Sequence, residues 1–390
     1  MADLALVIGL AWAAGAIANR LGYPPVLGEL AAGVLFGPPV LGLVGPSEAL
    51  TVLATIGVML LMLLAGLRAS PTEVAAHAPS ALLPALAGLA VPAALGYAVV
   101  VFVAGGTPGQ GLMMGTILGV TSLATVSRVL LDLDMLTWDT GQRLMCVALL
   151  EVILVLIAFA VVNGIVGGGG DSLAVVLGKA VAFLVGAVLV GQVALTRLGQ
   201  AVGRLGLLRA PGGITFAVLL TVAFGAASEA AGLTFVPGAF LAGLFLSRDA
   251  LGDAFEPTVT SVRAAGIGFL TPVFFFTAGF SADLGVLAEA PGLVAAVAAA
   301  GFGGKALAGI LGLVPIGRSW REGLVLGFGM NGRGGIDVIL AGAALAGGVI
   351  GADLFTALVL TTFVATLPVP TLLQWGRRWL APAEAAAEAQ

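Results

Sequence analysis

Apolar stretches long enough to cross a lipid bilayer recur along almost the whole chain, and they limit its fold more than any other feature. A spanning helix needs about 20 mainly apolar residues. Thirteen such segments are read, at 2–19, 25–42, 50–67, 80–104, 110–131, 143–163, 173–196, 213–232, 236–247, 265–281, 292–314, 322–346 and 354–376. The residues are 60% hydrophobic and 9% charged, with a mean hydropathy of +1.15, whereas soluble domains carry about 25% charged residues. Backbone polar groups inside hydrocarbon must be satisfied within their own segment, so the expected fold class is an all-α polytopic membrane protein.

Orientation follows from the sixteen Lys and Arg, because basic residues beside short loops stay cytoplasmic. Alternate connections hold Arg20, then Arg68, then Arg128 and Arg143, then Arg197, Arg204 and Arg209, then Arg248 and Arg263, then Arg318 and Arg321, and finally Arg377 and Arg378. The intervening connections hold only acids, Glu48, Asp171, Glu229, Asp283, Glu289 and Asp353, or no charge. An odd number of spans with the N-terminus outside and the C-terminus cytoplasmic is therefore expected. The first segment lacks a basic leader and ends in Arg20, so no cleavable signal peptide is required. Residues 377–390 are expected as a short cytoplasmic tail, with Trp375, Trp379, Arg377 and Arg378 as an interfacial anchor ending the last helix.

Several chemistries are excluded at this level. One Cys, Cys146, and one His, His77, provide neither a disulfide framework nor a Cys/His metal cluster, and no metal or other cofactor is expected. GIVGGGGD at 164–171 lacks the Lys and Ser/Thr of a phosphate-binding loop, so no nucleotide or nucleic-acid partner is expected. Few acid–base side chains remain for an enzyme, and the chain is read as a non-enzyme.

The charges that do fall inside apolar segments are the informative ones. Glu151 lies in VALLEVILVLIAFAVV, where every other side chain is apolar. An ionisable group at that depth costs at least about 2.5 kcal/mol, and such groups mark transport pathways, proton relays or paired structural sites. Lys305, in GFGGKALAGILG, sits mid-segment and needs an acidic or carbonyl partner. Arg333 and Asp337 are four residues apart, the spacing of an ion pair on a continuous helix, yet the neighbouring glycines favour local unwinding. Lys179, near a segment start, is read as snorkelling to an interface.

Two segments carry polar and glycine interruptions. GVTSLATVSRVL places Thr121, Ser122, Thr125 and Ser127 inside the fifth segment, and GFGMNGRGGIDV interrupts the twelfth. Each is adjacent in sequence to a segment with a lone charge, Glu151 after the first and Lys305 before the second. Small residues in either one alone are explained by close helix packing. Broken helices at corresponding places in two halves instead point to a binding site built from inverted repeats.

These residues carry a family resemblance. LGYPPVLGELAAGVLFGP resembles the P-x-V-x-G-E-x-x-A-G-x-x-x-G-P stretch of the monovalent cation:proton antiporter-2 family, the bacterial sodium/proton and potassium/proton exchangers, with matches at Pro24, Val26, Gly28, Glu29, Ala32, Gly33, Gly37 and Pro38. Similarity continues, in the family's order, through Thr121–Ser122 with Arg128, AVVNG at 160–164, PGAFLAGLFLS at 237–247, TPVFFFTAGF at 271–280, Lys305 and NGRGG at 331–335.

The resemblance implies a thirteen-helix homodimer in the bacterial inner membrane, with inverted repeats and two crossed, broken helices. One transmembrane transporter unit, 1–376, would divide into a core domain, about 80–163 and 265–346, and dimer or scaffold helices elsewhere. The core would move relative to the dimer domain and expose an ion site to each side in turn. The implied partners are a monovalent cation, Na⁺ or K⁺, the proton and the lipid bilayer. The implied ion- and proton-binding residues are Glu151, Thr121, Ser122 and Asp337, with Lys305, Arg333 and Asn331 compensating charge.

The chain departs from the family in the sixth segment. Family exchangers carry a pair ending in an Asp that binds cation and proton; here the sequence reads Leu150-Glu151-Val152. Either Glu151 takes the essential position, or it takes the preceding one and Val152 replaces the ligand; anchoring on AVVNG favours the second alignment. Exchange needs one group able to hold either species, and Glu151 is the expected group. Two alternatives stand beside the antiporter reading. One is a transporter of the same architecture for another small molecule, and the other is a non-transporting descendant acting as membrane enzyme or assembly partner.

Overall fold

The computed structural model describes residues 2–68, 71–135, 138–167, 196–208, 212–231, 235–246 and 248–388, with scattered positions between 175 and 191. The seventh expected segment, 173–196, lies largely outside the described residues. Each of the other twelve contains helix, and no strand occurs among the described residues. Among the described residues eight helices are long and apolar enough to cross a membrane, and three shorter apolar ones, Pro25–Phe36, Phe235–Phe245 and Gly335–Ala346, accompany them.

In chain order the α-helices of nine residues or more among the described residues are α1 (Ala2–Arg20), α2 (Pro25–Phe36), α3 (Glu48–Arg68), α4 (Pro71–Ala98), α5 (Pro108–Leu118), α6 (Leu123–Asp132), α7 (Asp139–Gly167), α8 (Thr196–Arg204), α9 (Gly212–Ala230) and α10 (Phe235–Phe245). There follow α11 (Phe255–Ala265), α12 (Thr271–Gly279), α13 (Pro291–Leu313), α14 (Trp320–Gly329), α15 (Gly335–Ala346), α16 (Ala352–Thr366) and α17 (Val369–Glu388).

The chain forms two compact units. The first comprises Met1–Ala14, Glu29–Pro71 and Ala160–Phe280. In it α3 and α10 cross at glycines: a methyl group on Gly66 would strike the backbone of Phe240, and one on Gly243 would strike that of Leu63. With no hydrophobic drive between helices in lipid, such backbone-to-backbone packing is what holds them. Glu29, one of the motif positions, is 7% exposed in this unit.

The second unit comprises Gly15–Gly28, Thr72–Phe159 and Ser281–Gln390. Here α13 packs on α14, where Gly309 meets the backbone of Gly323 and Gly327, and also on α16. Its apolar core gathers Ala81 and Ala85 of α4, Val147 and Leu150 of α7, Leu326 of α14 and Leu373 of α17.

Local chemistry fixes the helix starts. The Thr107 hydroxyl accepts from the Gln110 N–H at 3.2 Å, the Thr107 N–H donates to Gln110 Oε1 at 2.8 Å, and Pro108 opens α5. Ser319 Oγ accepts from the Glu322 N–H at 3.1 Å and opens α14.

Two expectations change. The segment 354–376 is two helices, interrupted at Leu367–Pro368, because proline cannot supply the N–H that a continuous helix needs. The expected end of the last helix near Trp379 is also exceeded, since α17 continues to Glu388. The Ala- and Glu-rich run that follows Pro382 has high intrinsic helix propensity and carries it on.

Candidate functional site

The fifth and twelfth segments are each interrupted at mid-length. α5 stops at Leu118 and α6 begins at Leu123; α14 stops at Gly329 and α15 begins at Gly335. The two non-helical stretches are stitched to one another. The Ser122 N–H donates to the Gly332 carbonyl at 2.8 Å. The Thr121 hydroxyl donates to the Met330 carbonyl at 2.7 Å, and the Thr125 hydroxyl to the Arg333 carbonyl at 2.9 Å. Backbone groups freed by the breaks thus find partners in the opposite break, as a low-dielectric interior demands.

The helix ends left at this crossing are matched by charge. Two terminal carbonyls of α5 accept from cations, Leu118 from Arg333 Nη2 at 2.8 Å and Gly119 from Lys305 Nζ at 2.7 Å. At the start of α15 the Gly334 N–H donates to Asp337 Oδ2 at 2.7 Å. Positive groups at a helix C-terminus and a negative one at an N-terminus complement the aligned backbone dipoles. Asn331 Nδ2 donates to the Gly327 carbonyl of α14 at 3.0 Å and to the Phe302 carbonyl of α13 at 3.3 Å.

Two buried ion pairs complete the arrangement. Lys305 Nζ lies 2.9 Å from both Glu151 Oε1 and Oε2, and both residues have 0% exposure. Arg333 Nη1 lies 3.2 Å from Asp337 Oδ1, with residue exposures of 1% and 2%. Unwinding and the four-residue pairing therefore coexist, because Arg333 reaches Asp337 from outside the helix. Thr121 also neighbours Glu151. Val152 is buried and apolar next to it. Two polar atoms at this locus, Asn331 Oδ1 and Arg333 Nε, are buried without a hydrogen-bond partner.

A profile of the family described as sodium/hydrogen exchanger, transmembrane, matches residues 5–375. The chain belongs to that family. It is a multi-pass membrane transporter and not an enzyme. The exchanger is 29% identical over 373 residues to the Na(+)/H(+)-K(+) antiporter GerN of Bacillus cereus, covering 96% of this chain and 95% of that one. It is 26% identical over 406 residues to the high-affinity Na(+)/H(+) antiporter NhaS3 of a Synechocystis strain, covering 92% and 86%. Its fold matches that of the sodium proton antiporter MjNhaP1 from Methanocaldococcus jannaschii with a TM-score of 0.75 at 18% identity, over 96% and 95% of the two chains.

All seven residues singled out in the sequence, Thr121, Ser122, Glu151, Lys305, Asn331, Arg333 and Asp337, are buried in the second unit of the exchanger. Other features had no signal in the sequence. Gly88 of α4 lies against the site: a methyl group there would overlap Glu151 Oε1 and crowd Met330 Cε. Arg143, grouped by sequence with the loop arginines, is 7% exposed in α7 and pairs with Glu322 of α14 and with Asp139 at 2.9 Å. Only tertiary neighbours distinguish these two residues from ordinary ones.

Proposed function

We propose that this protein exchanges a monovalent cation, Na⁺ or K⁺, for protons by alternating access, and that Glu151 is the group holding either species. The observation that carries the reading is the Glu151–Lys305 pair, a fully buried carboxylate whose one ion pair among the described residues is with a single ammonium. A buried carboxylate is tolerated while a single positive charge faces it, and a proton, an ammonium or a cation can each fill that role. Occupancies that exclude one another are the physical requirement for exchange.

Oxygen ligands suit Na⁺ and K⁺, and oxygens are abundant here. Beyond the two of Glu151, the Thr121 and Ser122 hydroxyls lie at the first break and Asn331 Oδ1 is an unused acceptor at the second. Lys305 keeps the Gly119 carbonyl as a second partner, so its ammonium can yield the carboxylate to a cation without losing every acceptor. Asp337 contributes by holding Arg333, which in turn holds the end of α5. In this reading Glu151 takes the essential position despite Val152, and the movement that alternates access belongs to the unit carrying the site. In this reading the protein works as a homodimer in a bacterial inner membrane, and the distribution of basic connections supports an outside N-terminus and a cytoplasmic C-terminus.

The test is proton movement in proteoliposomes followed with a pH-sensitive dye on addition of Na⁺, K⁺ or Li⁺. Wild type is expected to release the imposed pH gradient on cation addition, with the apparent KM for the cation rising as pH falls because protons compete for one carboxylate. Glu151→Gln is expected to show no cation response. A folded wild type indifferent to all three cations overturns the exchanger reading, and an unchanged Glu151→Gln overturns the assignment of the carrier.

A further inference from the structure

A second site is marked by basic charge at the membrane-boundary end of the second unit. Between the turn at Leu133–Met135, which follows α6, and the α17 residues Gln374, Arg377, Arg378 and Ala381 lies a cavity of about 530 Å³. That size falls within the roughly 300–1,000 Å³ of small-ligand clefts. Its charged side chains are two exposed arginines, and neither pairs with a carboxylate among the described residues. Among the described residues Arg377 Nη1 reaches the Asp134 carbonyl, at 3.4 Å, and makes no ion pair with the Asp134 carboxylate.

The opposite side of the same helix identifies the level at which this cavity sits. Trp375 and Trp379 stack with ring centroids 4.8 Å apart, Trp320 meets Trp379 edge-on at 5.5 Å, and the Arg321 guanidinium lies over Trp379 at 5.1 Å. Three of the five tryptophans of the chain are gathered there. Clustered tryptophan and arginine at the end of an apolar helix is the composition of a headgroup-level belt. The cavity therefore opens where lipid phosphates lie.

We propose that this cavity binds the headgroup of an anionic phospholipid, its phosphodiester held by the Arg377 and Arg378 guanidinium groups. Guanidinium matches phosphate oxygens in pairs, and basic recesses between transmembrane helices select anionic headgroups. A zwitterionic choline headgroup brings its own cation towards two arginines and is disfavoured. The bound lipid braces α17, which packs on α14, against the end of α6, the half-helix whose first turns hold Thr125 in the crossing. The inference requires membrane insertion only and does not depend on the identity of the exchanged ion.

The experiment measures the melting temperature of the purified full chain in neutral detergent with added dioleoyl phosphatidylglycerol, dioleoyl phosphatidylcholine or inorganic phosphate as its Tris salt. Phosphatidylglycerol is expected to raise it by several degrees and the other two to leave it unchanged. The rise is expected to vanish in Arg377→Gln/Arg378→Gln and to persist in Arg263→Gln, an exposed arginine of the other unit. It is also expected to persist in Glu151→Gln, so failure of the exchange reading leaves this one standing. An equal rise with phosphate would assign a soluble anion instead of a lipid, an equal rise with phosphatidylcholine would reduce the effect to general solvation, and a rise retained by the double variant would place the site elsewhere. Each of these overturns the proposal. Should the double variant not fold, wild-type tryptophan quenching decides: brominated phosphatidylglycerol is expected to quench more than brominated phosphatidylcholine, and equal quenching overturns the site.

Discussion

The two buried ion pairs of the second unit are alike in burial and opposite in construction. Arg333 and Asp337 are neighbours in sequence, and each has other partners: Asp337 takes the Gly334 N–H, and Arg333 takes the Leu118 carbonyl. Glu151 and Lys305 come from helices 154 residues apart, and both carboxylate oxygens face the same ammonium at 2.9 Å. A pair tied into helix ends is a fastener, because opening it uncaps α15 and releases the end of α5. Lys305 also holds an end of α5, through the Gly119 carbonyl, but the Glu151 carboxylate caps no helix among the described residues, so it can exchange the ammonium for another cation without releasing a helix end. On the proposed reading burial alone does not mark the exchanging group; what distinguishes the Glu151 carboxylate from that of Asp337 is that it holds no helix end among the described residues.

The largest expected effect separates the two carboxylates directly. Glu151→Gln should abolish cation-driven proton movement while the protein still folds, whereas Asp337→Asn should retain exchange at a reduced rate and lose stability. Removing one partner of a buried pair costs about 3–5 kcal/mol, so both variants should melt below wild type, Asp337→Asn the further because it also weakens the contact with the Gly334 N–H at the start of α15. Measuring transport and melting for both variants breaks the comparison if the outcomes are reversed, with exchange surviving at position 151 and vanishing at 337 without a loss of stability.

Much of this arrangement was legible in the sequence, for physical reasons that also explain what was not. Lys305 in an apolar, small-residue segment had to find an acid or a carbonyl, and it finds both, Glu151 and Gly119. Thr121, Ser122 and the glycines around Arg333 announced interrupted helices, because polar groups and glycine inside apolar segments need a reason to be there. Gly88 was illegible: a glycine among alanines and leucines has no chemistry of its own, and only the crossing of α4 with α7 sets it against the Glu151 carboxylate. Arg143 was misleading in another way, since a loop arginine facing water and one closing an ion pair onto α14 have the same sequence context. The extension of α17 to Glu388 was missed because hydropathy ends at the membrane boundary whereas helix propensity does not.

Gly88 supplies the next test, of intermediate size. The methyl group of Gly88→Ala occupies the space of Glu151 Oε1, so the carboxylate must swing off its symmetric contact with Lys305. Roughly tenfold loss of cation-dependent exchange, equivalent to about 1.4 kcal/mol, is expected, read mainly as a raised KM. Gly303→Ala, on the Lys305 helix but with nothing within 4 Å of the added carbon, should behave as wild type. If both variants match wild type, the carboxylate is looser than its packing indicates, and the contrast with the fastened Asp337 weakens.

The smallest expected effect tests the crossing that both pairs share. Thr125 donates to the Arg333 carbonyl at 2.9 Å, and its hydroxyl also lies 3.1 Å from Ser122 Oγ, so Thr125→Val removes a tie between the two breaks without changing any charge. Loss of a buried hydrogen bond that leaves a carbonyl unpaired costs about 1–3 kcal/mol. The Arg333 carbonyl retains the Thr366 hydroxyl at 3.3 Å, which places the expected loss at the low end of that range. Melting should therefore drop slightly, and the apparent KM for the cation should stay within about twofold of wild type, since twofold corresponds to only about 0.4 kcal/mol. A large change in KM with unchanged melting would show instead that the Thr125 hydroxyl belongs to the exchanging side of the site, and the division between fastening and exchanging groups would have to be redrawn to include the first break.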